Sequence, residues 1–591
     1  MKRQSLLERF LNWRLKHITD QQFMLILSVV VGLSVGLAAV VIKNSVHFIQ
    51  YLLTSGFAVQ YQNYLYFAYP AIGILATVLI AKYVFRQHVG HGIPSVLYAK
   101  SKTNGLIKPH NMYSSIVTSA LTVGFGGSVG LEGPTVATGA AIGSNLGRVL
   151  RLNYKQITSL LGFACAGAMA AIFKAPIAAI VFALEVIMLD LTMSAMVPLL
   201  TASVTAALTS YFMFGMKVLY TFELEDEFLL GDVPYYILFG VLAGFISVYF
   251  TRVYMFVGRM FENINTWYKK LIFGGLILGV LIFLFPSLYG EGYEAINSAL
   301  RGDFSYLYDN SIFYDYQDNF LITLALIAGI VLLKVVATSV TFSSGGVGGI
   351  FAPSLFMGVN TGLLFSKAVN HFGLGNISEN NFALVGMAGL IAGVIHAPLT
   401  AIFLIAEITG GYGLFMPLMI VATISYGTVK IFEANSVYTI QLAKRGELIT
   451  HHRDKALLSL MKIGSLIEKD FLTVRTDATL GELVKVIAES HRNIFPVVDA
   501  ENNFHGIVIM DRVRHIMFQP ELYDTTMVRN IMFTPTNTVN YNDPMEQVAQ
   551  KFQHSGKYNL VVLKEGKYVG FVSRANVFSK YRELLKDFSE H

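Results

Sequence analysis

The sequence predicts an all-α polytopic membrane protein with broken helices, followed by a soluble α/β pair of modules. Three observations predict it. Of 591 residues, 54% are hydrophobic and only 14% charged, against about 25% charged in soluble globular domains. Apolar segments follow one another from about Gln22 to Phe432, and several reach the ~20 residues that cross a bilayer. After Val437 the pattern changes to soluble alternation of apolar and charged positions. This composition excludes a cytosolic enzyme, a secreted disulfide scaffold and a disordered chain. The net charge of +6 is small for the length, so nucleic acid is not an expected partner. The one cysteine, Cys165, lies in an apolar run and reads as a small buried residue.

The elements follow in order. Residues 1–20 read as an amphipathic helix on the cytoplasmic side. The stretch MKRQSLLERFLNWRLKH carries five Lys/Arg and no apolar core of a signal peptide, and the positive-inside rule assigns it to the cytoplasm. Residues 21–445 form the membrane region. Spans are expected at 23–42, 66–84, 157–173, 235–250, 271–285, 321–340 and 417–431. Residues 93–98, 132–146, 175–188, 350–365 and 397–408 are too short, or too broken by glycine and proline, to span. Irregular backbone survives at membrane depth only inside protein or along a wet cavity. Broken helices therefore predict a transport pathway. Residues 446–464 read as a linker and 465–591 as two modules, about 465–520 and 525–584. In the modules, Val497-Val498 with Gly506-Ile507-Val508 recurs as Val561-Val562 with Gly570-Phe571-Val572, an offset of 64. That is a βαββα-like unit used twice.

The membrane region repeats as well. Ala175-Pro-Ile-Ala-Ala-Ile-Val-Phe-Ala-Leu-Glu185 returns 222 residues later as Ala397-Pro-Leu-Thr-Ala-Ile-Phe-Leu-Ile-Ala-Glu407. The Gly/Ala-rich stretches before them, 162–173 and 386–395, are alike. Gly130-x-x-x-Pro134 parallels Gly349-x-x-x-Pro353 at an offset of 219. Close helix packing explains the small residues. It does not explain prolines and glycines held at matching offsets. Two halves with corresponding broken segments point to a binding site at the midplane.

Three broken segments begin alike: Gly90-His-Gly-Ile-Pro94, Gly130-Leu-Glu-Gly-Pro134 and Gly349-Ile-Phe-Ala-Pro353. The proline suits the first turn of a helix. Glycine lets backbone approach a ligand with no Cβ in the way. The free N–H groups and the positive dipole end then face whatever precedes the helix, which makes each start a ready anion site. Three aimed at one place would hold an unhydrated anion without a full positive charge, weakly enough to release it.

These motifs, in this order, resemble those of the CLC chloride channel and transporter family, over residues of about 20–445. The C-terminal pair is similar to the CBS modules that many CLC proteins carry. The resemblance implies an inverted-repeat CLC-like bundle that moves chloride or similar small anions across a lipid bilayer. It implies a homodimer with one pathway per subunit and a cytoplasmic CBS pair. Glu132 stands at the family's gating glutamate. Tyr438, in Asn435-Ser-Val-Tyr-Thr439, matches the tyrosine whose hydroxyl coordinates the central anion. The backbone amides of Ile350 and Phe351 match central-site donors, and Gly92, Ile93, Gly130, Leu131, Gly133 and Gly349 complete the anion-binding set.

Two positions depart from the family's pattern. His91 stands where a serine holds the central anion. An imidazole N–H also donates, and a ring turned aside would leave only backbone donors. Val186 stands where the proton-coupled exchangers carry an inner glutamate, and valine carries no proton. Its neighbour Glu185 reads as structural, because Glu407 repeats it in the other half. In the CBS pair, Gly570, Ser573 and Asn576 make half of a nucleotide pattern, with Ser573 for phosphate and Asn576 for ribose. Gly506 in the first module is followed by Ile509 and Arg512 at the polar places. ATP or another adenine nucleotide and a purely structural pair both stand as readings.

The sequence thus predicts a passive anion channel gated by Glu132, with a proton-coupled anion exchanger as the alternative. A distant third is an intramembrane serine hydrolase, since Gly126-Gly-Ser-Val-Gly130 fits G-x-S-x-G with Ser128 as nucleophile and His396 as a base. Residues 124–147 contain eight glycines, so the match arises readily by chance. No enzymatic activity, cofactor or metal site is expected.

Overall fold

The computed structural model describes residues 6–54, 58–87, 89–90, 92–103, 105–187, 193–215, 228–309, 311, 313–410, 412–444, 458 and 461–589. The chain divides into two compact units, Met1–Leu448 and Ile449–His591.

The first unit is helical. Its first half holds α1 (Leu6–His17), α2 (Asp20–Thr54), α3 (Ala58–Leu79), α4 (Ile93–Lys102), α5 (Asn111–Gly124), α6 (Glu132–Val149), α7 (Tyr154–Phe173), α8 (Pro176–Glu185) and α9 (Met193–Phe214). The second half holds α10 (Val233–Glu262), α11 (Trp267–Leu284), α12 (Tyr293–Leu300), α13 (Ser305–Tyr308), α14 (Phe320–Ser343), α15 (Phe351–His371), α16 (Glu379–Ile395), α17 (Pro398–Ile408), α18 (Phe415–Phe432) and α19 (Ile440–Lys444). Among the described residues, eight helical segments are long and apolar enough to cross a membrane.

The duplication is visible in the packing. The pairs α2–α9, α2–α7, α6–α7 and α7–α9 recur as α10–α18, α10–α16, α15–α16 and α16–α18. The core lies where α6, α7, α15 and α16 meet, and these helices are buried over most of their length. Glycine makes that contact. A Cβ on Gly362 of α15 would run into the carbonyl oxygen of Phe382 in α16. Backbones this close admit no side chain.

Three expected elements differ. Residues 132–146 and 350–365 do not break: Pro134 and Pro353 fall in the first turns of α6 and α15, where a missing N–H has no intrahelical partner to lose. The segment Ala195–Phe214 is long and apolar enough to span although its Ser, Thr and Pro content hid it. Thr201, Ser203 and Thr209 each donate a hydroxyl to the carbonyl four residues back, so their polarity is absorbed inside the helix.

The second unit contains two small sheets. One has the order β1-β7-β6-β5, with β1 (Ile467–Glu468), β5 (Thr538–Asn540), β6 (Asn559–Lys564) and β7 (Lys567–Ser573). The other is β2 (Val474–Arg475), β3 (Ile494–Val498) and β4 (Phe504–Ile509). β1 precedes the first module yet pairs with β7 of the second, Ile467 opposite Val572. The offset of 64 needs a correction in one strand. Val497 pairs with Gly506 before an irregularity, and Val562 pairs with Gly570 before the same irregularity. Val497 therefore corresponds to Val562, not Val561. The offset is 64 only in the second strand of each hairpin, because the two connecting turns differ in length.

Candidate anion-binding site

The starts of α6 and α15 are fastened to each other. Gly130 donates its amide to the carbonyl of Gly349 at 2.8 Å, and Gly349 donates to the carbonyl of Gly130 at 2.7 Å. This reciprocal pair is what a two-fold relation between the halves produces. α4 joins them: a Cβ on Gly92 would sit 3.0 Å from Cα of Gly133, and one on Gly349 would sit 2.8 Å from the amide nitrogen of Gly133. Gly92 has φ +56°, a left-handed conformation that glycine adopts without cost. Three helix starts thus meet backbone against backbone. None of the three has a side-chain cap. Elsewhere α7 is capped by Asn153 and α16 by Ser378. The first-turn amides of α4, α6 and α15 are left to face one another's loops, with their dipoles' positive ends.

Glu132 opens α6 and has no solvent exposure. The Tyr293 hydroxyl donates to its Oε1. Its Oε2 points at Gly130 and Gly349 and has no hydrogen-bond partner among the described residues. Tyr438 lies between α18 and α19, buried, behind the amide of Val437, which donates to the carbonyl of Val394 at 3.3 Å. Its hydroxyl has no partner among the described residues either, and it lies within electrostatic reach of Glu132. Buried polar atoms are rarely left so. Ile93, Leu131, Ile350 and Phe351 are all buried around this meeting point, with the Phe351 ring 5.3 Å from that of Phe173. His91 lies outside the described residues.

Val186 follows α8 and is buried. Glu185 beside it accepts from the amides of Leu399 at 3.2 Å and Thr400 at 2.8 Å, and from the Thr400 hydroxyl at 2.7 Å. Glu407 accepts from the amides of Ile177 at 3.2 Å and Ala178 at 2.9 Å. Each glutamate thus caps the first turn of the other half's helix. The structural reading of Glu185 has its cause here.

Three residues at the site were missed. Glu291 accepts from the amide of Leu131 at 3.1 Å. Tyr293 holds Glu132, and Lys334 is fully buried in α14. Lys334 carried a signal: it is the one charged residue of an otherwise apolar helix, and an ionisable group inside a span is a functional candidate by default. Glu291 sits in the irregular segment before α12 and Tyr293 opens that helix, about 160 residues from Glu132 in the chain, with no periodicity to connect them.

The hydrolase expectation fails on geometry. The Ser128 hydroxyl donates to the carbonyl of Leu288 at 2.7 Å, and its backbone bonds to Thr338 and Thr341. No base is among its partners in the described residues. In the CBS pair, Asn576 donates its side-chain amide to Glu468 at 2.8 Å, and the Ser573 hydroxyl accepts from the amide of Asn576 at 3.2 Å. Arg512 stacks over Phe533 at 4.1 Å.

Comparison with known proteins extends the geometry. The family described as "Voltage gated chloride channel" matches residues 72–430, and the CBS domain matches 463–518 and 528–583. A putative chloride channel protein, ClcB-like, of Ralstonia nicotianae is 29% identical over 381 residues, 64% of this chain and 85% of that protein. The H(+)/Cl(-) exchange transporter ClcA of Klebsiella pneumoniae is 28% identical over 421 residues, 67% of this chain and 83% of that protein. The crystal structure of a slow cyanobacterial Cl-/H+ antiporter superposes with a TM-score of 0.60 at 22% identity, over 72% of this chain and 98% of that one. Two fastened helix starts around an enclosed glutamate, a duplicated multi-pass bundle and a C-terminal module pair accompany these matches, and the chain belongs to the CLC family of voltage gated chloride channel proteins that carry a CBS domain pair.

Proposed function

We propose that the protein conducts chloride or a similar small anion passively, with Glu132 as the gate. One observation carries this reading: Glu132 is enclosed where three uncapped helix starts meet, with Oε2 and the Tyr438 hydroxyl unpartnered. An ionised carboxylate there is itself an anion at an anion site. It blocks the pathway by occupying it. Protonation removes the charge that holds it, the side chain leaves, and a chloride takes the amides and the Tyr438 hydroxyl in its place.

A proton-coupled exchanger needs an inner acid to pass the proton on. The place that the resemblance assigns to that acid is Val186, and the bonds of Glu185 are committed to α17. The exchanger is the second reading, supported by the exchange transporter among the relatives. We further assign a homodimer with one pathway per subunit. Supporting it, Ile177 and Leu399 leave about half their surface exposed at the starts of α8 and α17 (44% and 54%). The N-terminus and the CBS pair belong on the cytoplasmic side, and the CBS pair acts structurally.

The test is flux from reconstituted vesicles under a chloride gradient, followed with a pH electrode. The expected result is anion flux without uphill proton movement, and a reversal potential set by the anion gradient alone. A steady shift of that potential with an imposed pH gradient overturns the channel in favour of the exchanger.

A further inference from the structure

The wall outside Glu132 is built by the segment that joins α11 to α12. It folds over the loop entering α6. Ser128 donates its hydroxyl to the carbonyl of Leu288 at 2.7 Å, and Gly290 donates its amide to the carbonyl of Gly126 at 3.2 Å. Lys334, wholly buried, reaches across from α14 and donates to the carbonyls of Leu288 at 3.3 Å and Gly290 at 3.1 Å. The buried Lys334 amine, with two carbonyl acceptors on this one segment, ties the segment to α14. Two side chains hang from the frame. Tyr293 donates to Glu132, and Glu291 accepts the amide of Leu131, the residue just before Glu132. Glu132 has no exposed surface, whereas Glu291 and Tyr293 are half-buried.

We propose that Glu291 is a positioning residue of the gate, whose charge sets how readily Glu132 takes a proton and leaves the pathway. The inference rests on the reading of Glu132 as the gate. Glu291 has an amide donor and two cations to support a negative charge, set against the cost of burying it. Lys43 of α2 and Lys334 of α14 both act on it with attraction, and Glu132 acts on it with repulsion. It also accepts the amide of Leu131. Glu132 accepts from the Tyr293 hydroxyl, with the backbone amides of Glu132 itself and of Ala352 also acting on it, and among the described residues no cation acts on it. The other ionisable groups facing this shell among the described residues are His47 of α2, Tyr66 and Tyr69 of α3, Tyr289 of the joining segment, Tyr293 and Glu294 of α12, and Tyr438 before α19. Two carboxylates this close do not both ionise freely. A charged Glu291 therefore makes Glu132 hold its proton to higher pH, and the gate opens under milder acid.

The experiment is the external-pH profile of anion flux from the full chain in vesicles. Glu291→Gln keeps an oxygen that accepts the Leu131 amide and removes only the charge. Its half-activation moves to lower pH, by about one unit for a like charge at this range. Glu291→Asp, which restores the charge, returns the midpoint toward wild type. Glu291→Ser, neutral and smaller, reproduces the acid shift if Glu291→Gln does not reach the membrane. In a Glu132→Gln background, Glu291→Gln leaves an already flat profile flat. A merely structural Glu291 would scale flux at every pH and leave the midpoint in place. That outcome, with Glu132→Gln flat, overturns the inference. If Glu132→Gln itself keeps the wild-type profile, the gate reading falls instead, and the two failures are told apart by that single variant.

Discussion

Glu132 and Tyr438 each bring a buried oxygen with no partner to the same place, and both were legible in the sequence for different reasons. Glu132 stands in the first turn of a helix marked by Gly130 and Pro134, where a carboxylate inside a membrane calls for a function. Tyr438 was legible only through its family resemblance, since a lone tyrosine near a helix end reads equally as an interface anchor. Tyr293 was not legible, because its relation to Glu132 exists only after the chain has folded. It makes a sharp prediction. The Tyr293 hydroxyl is the side-chain donor to the ionised form of Glu132, and hydrogen bonds to a charged acceptor are worth about 1.5–3 kcal/mol. Tyr293→Phe removes the donor and leaves the carboxylate harder to keep charged. Flux half-activation then moves to higher pH, by about one unit, opposite in sign to the change from Glu291→Gln. Glu132→Gln, with nothing left to protonate, gives flux insensitive to external pH. A Tyr293→Phe midpoint that stays put, or moves acid, would show that the hydroxyl does not hold the gate closed.

At the scale of the element, the repeat announced more than the hydropathy did. Glu185 and Glu407 recur at an offset of 222, and the fold shows why: α8 and α17 lie together and cap each other, each supplying the acid for the other's first turn. The span Ala195–Phe214 escaped notice for the reverse reason. Its hydroxyls look polar in a sequence and are spent on the helix's own carbonyls in the fold. Replacing either capping acid by glutamine exchanges charge-assisted bonds for neutral ones, and each exchange costs about 1 kcal/mol. The burial is partial, so solvent reduces the difference. Glu185 has one bond more than Glu407, from the Thr400 hydroxyl. The expected order of thermal unfolding midpoints in detergent is therefore wild type, then Glu407→Gln, then Glu185→Gln, with the double variant lowest. Equal midpoints for all four would remove the capping role. Loss of a proton flux in Glu185→Gln, with stability intact, would instead make Glu185 a relay and reopen the exchanger.

The whole chain is two duplications in series, one of a helical half and one of a βαββα module, and both were legible because prolines and glycines punctuate them at fixed offsets. What a repeat cannot report is how its copies have diverged. The CBS pair shows this in its charges. Asp499 is held well below the ordinary carboxylate range by the His505 and Asn503 side chains, and Asp470 is held low by Arg492. A carboxylate whose folded pKa is depressed contributes stability above its unfolded value, near ~3.9, and loses it as pH falls through the folded value. These two carboxylates therefore contribute no change of their own to the CBS pair above the ordinary carboxylate range. The second module keeps Ser573 and Asn576, but Asn576 already donates to Glu468, which β1 carries into this sheet and which also pairs with Arg492 at 2.9 Å. A nucleotide would have to break that bond and bring its phosphates toward the Glu468 carboxylate. In the first module Arg512 is stacked on Phe533. A ligand at a hundredfold excess over its Kd stabilises its site by about 2.7 kcal/mol. Millimolar ATP should therefore leave both the flux and the unfolding midpoint of the full chain where they are. A clear rise of that midpoint with ATP, abolished by Asn576→Ala, would show that the Glu468 contact yields to ribose and that the half-pattern is a working site.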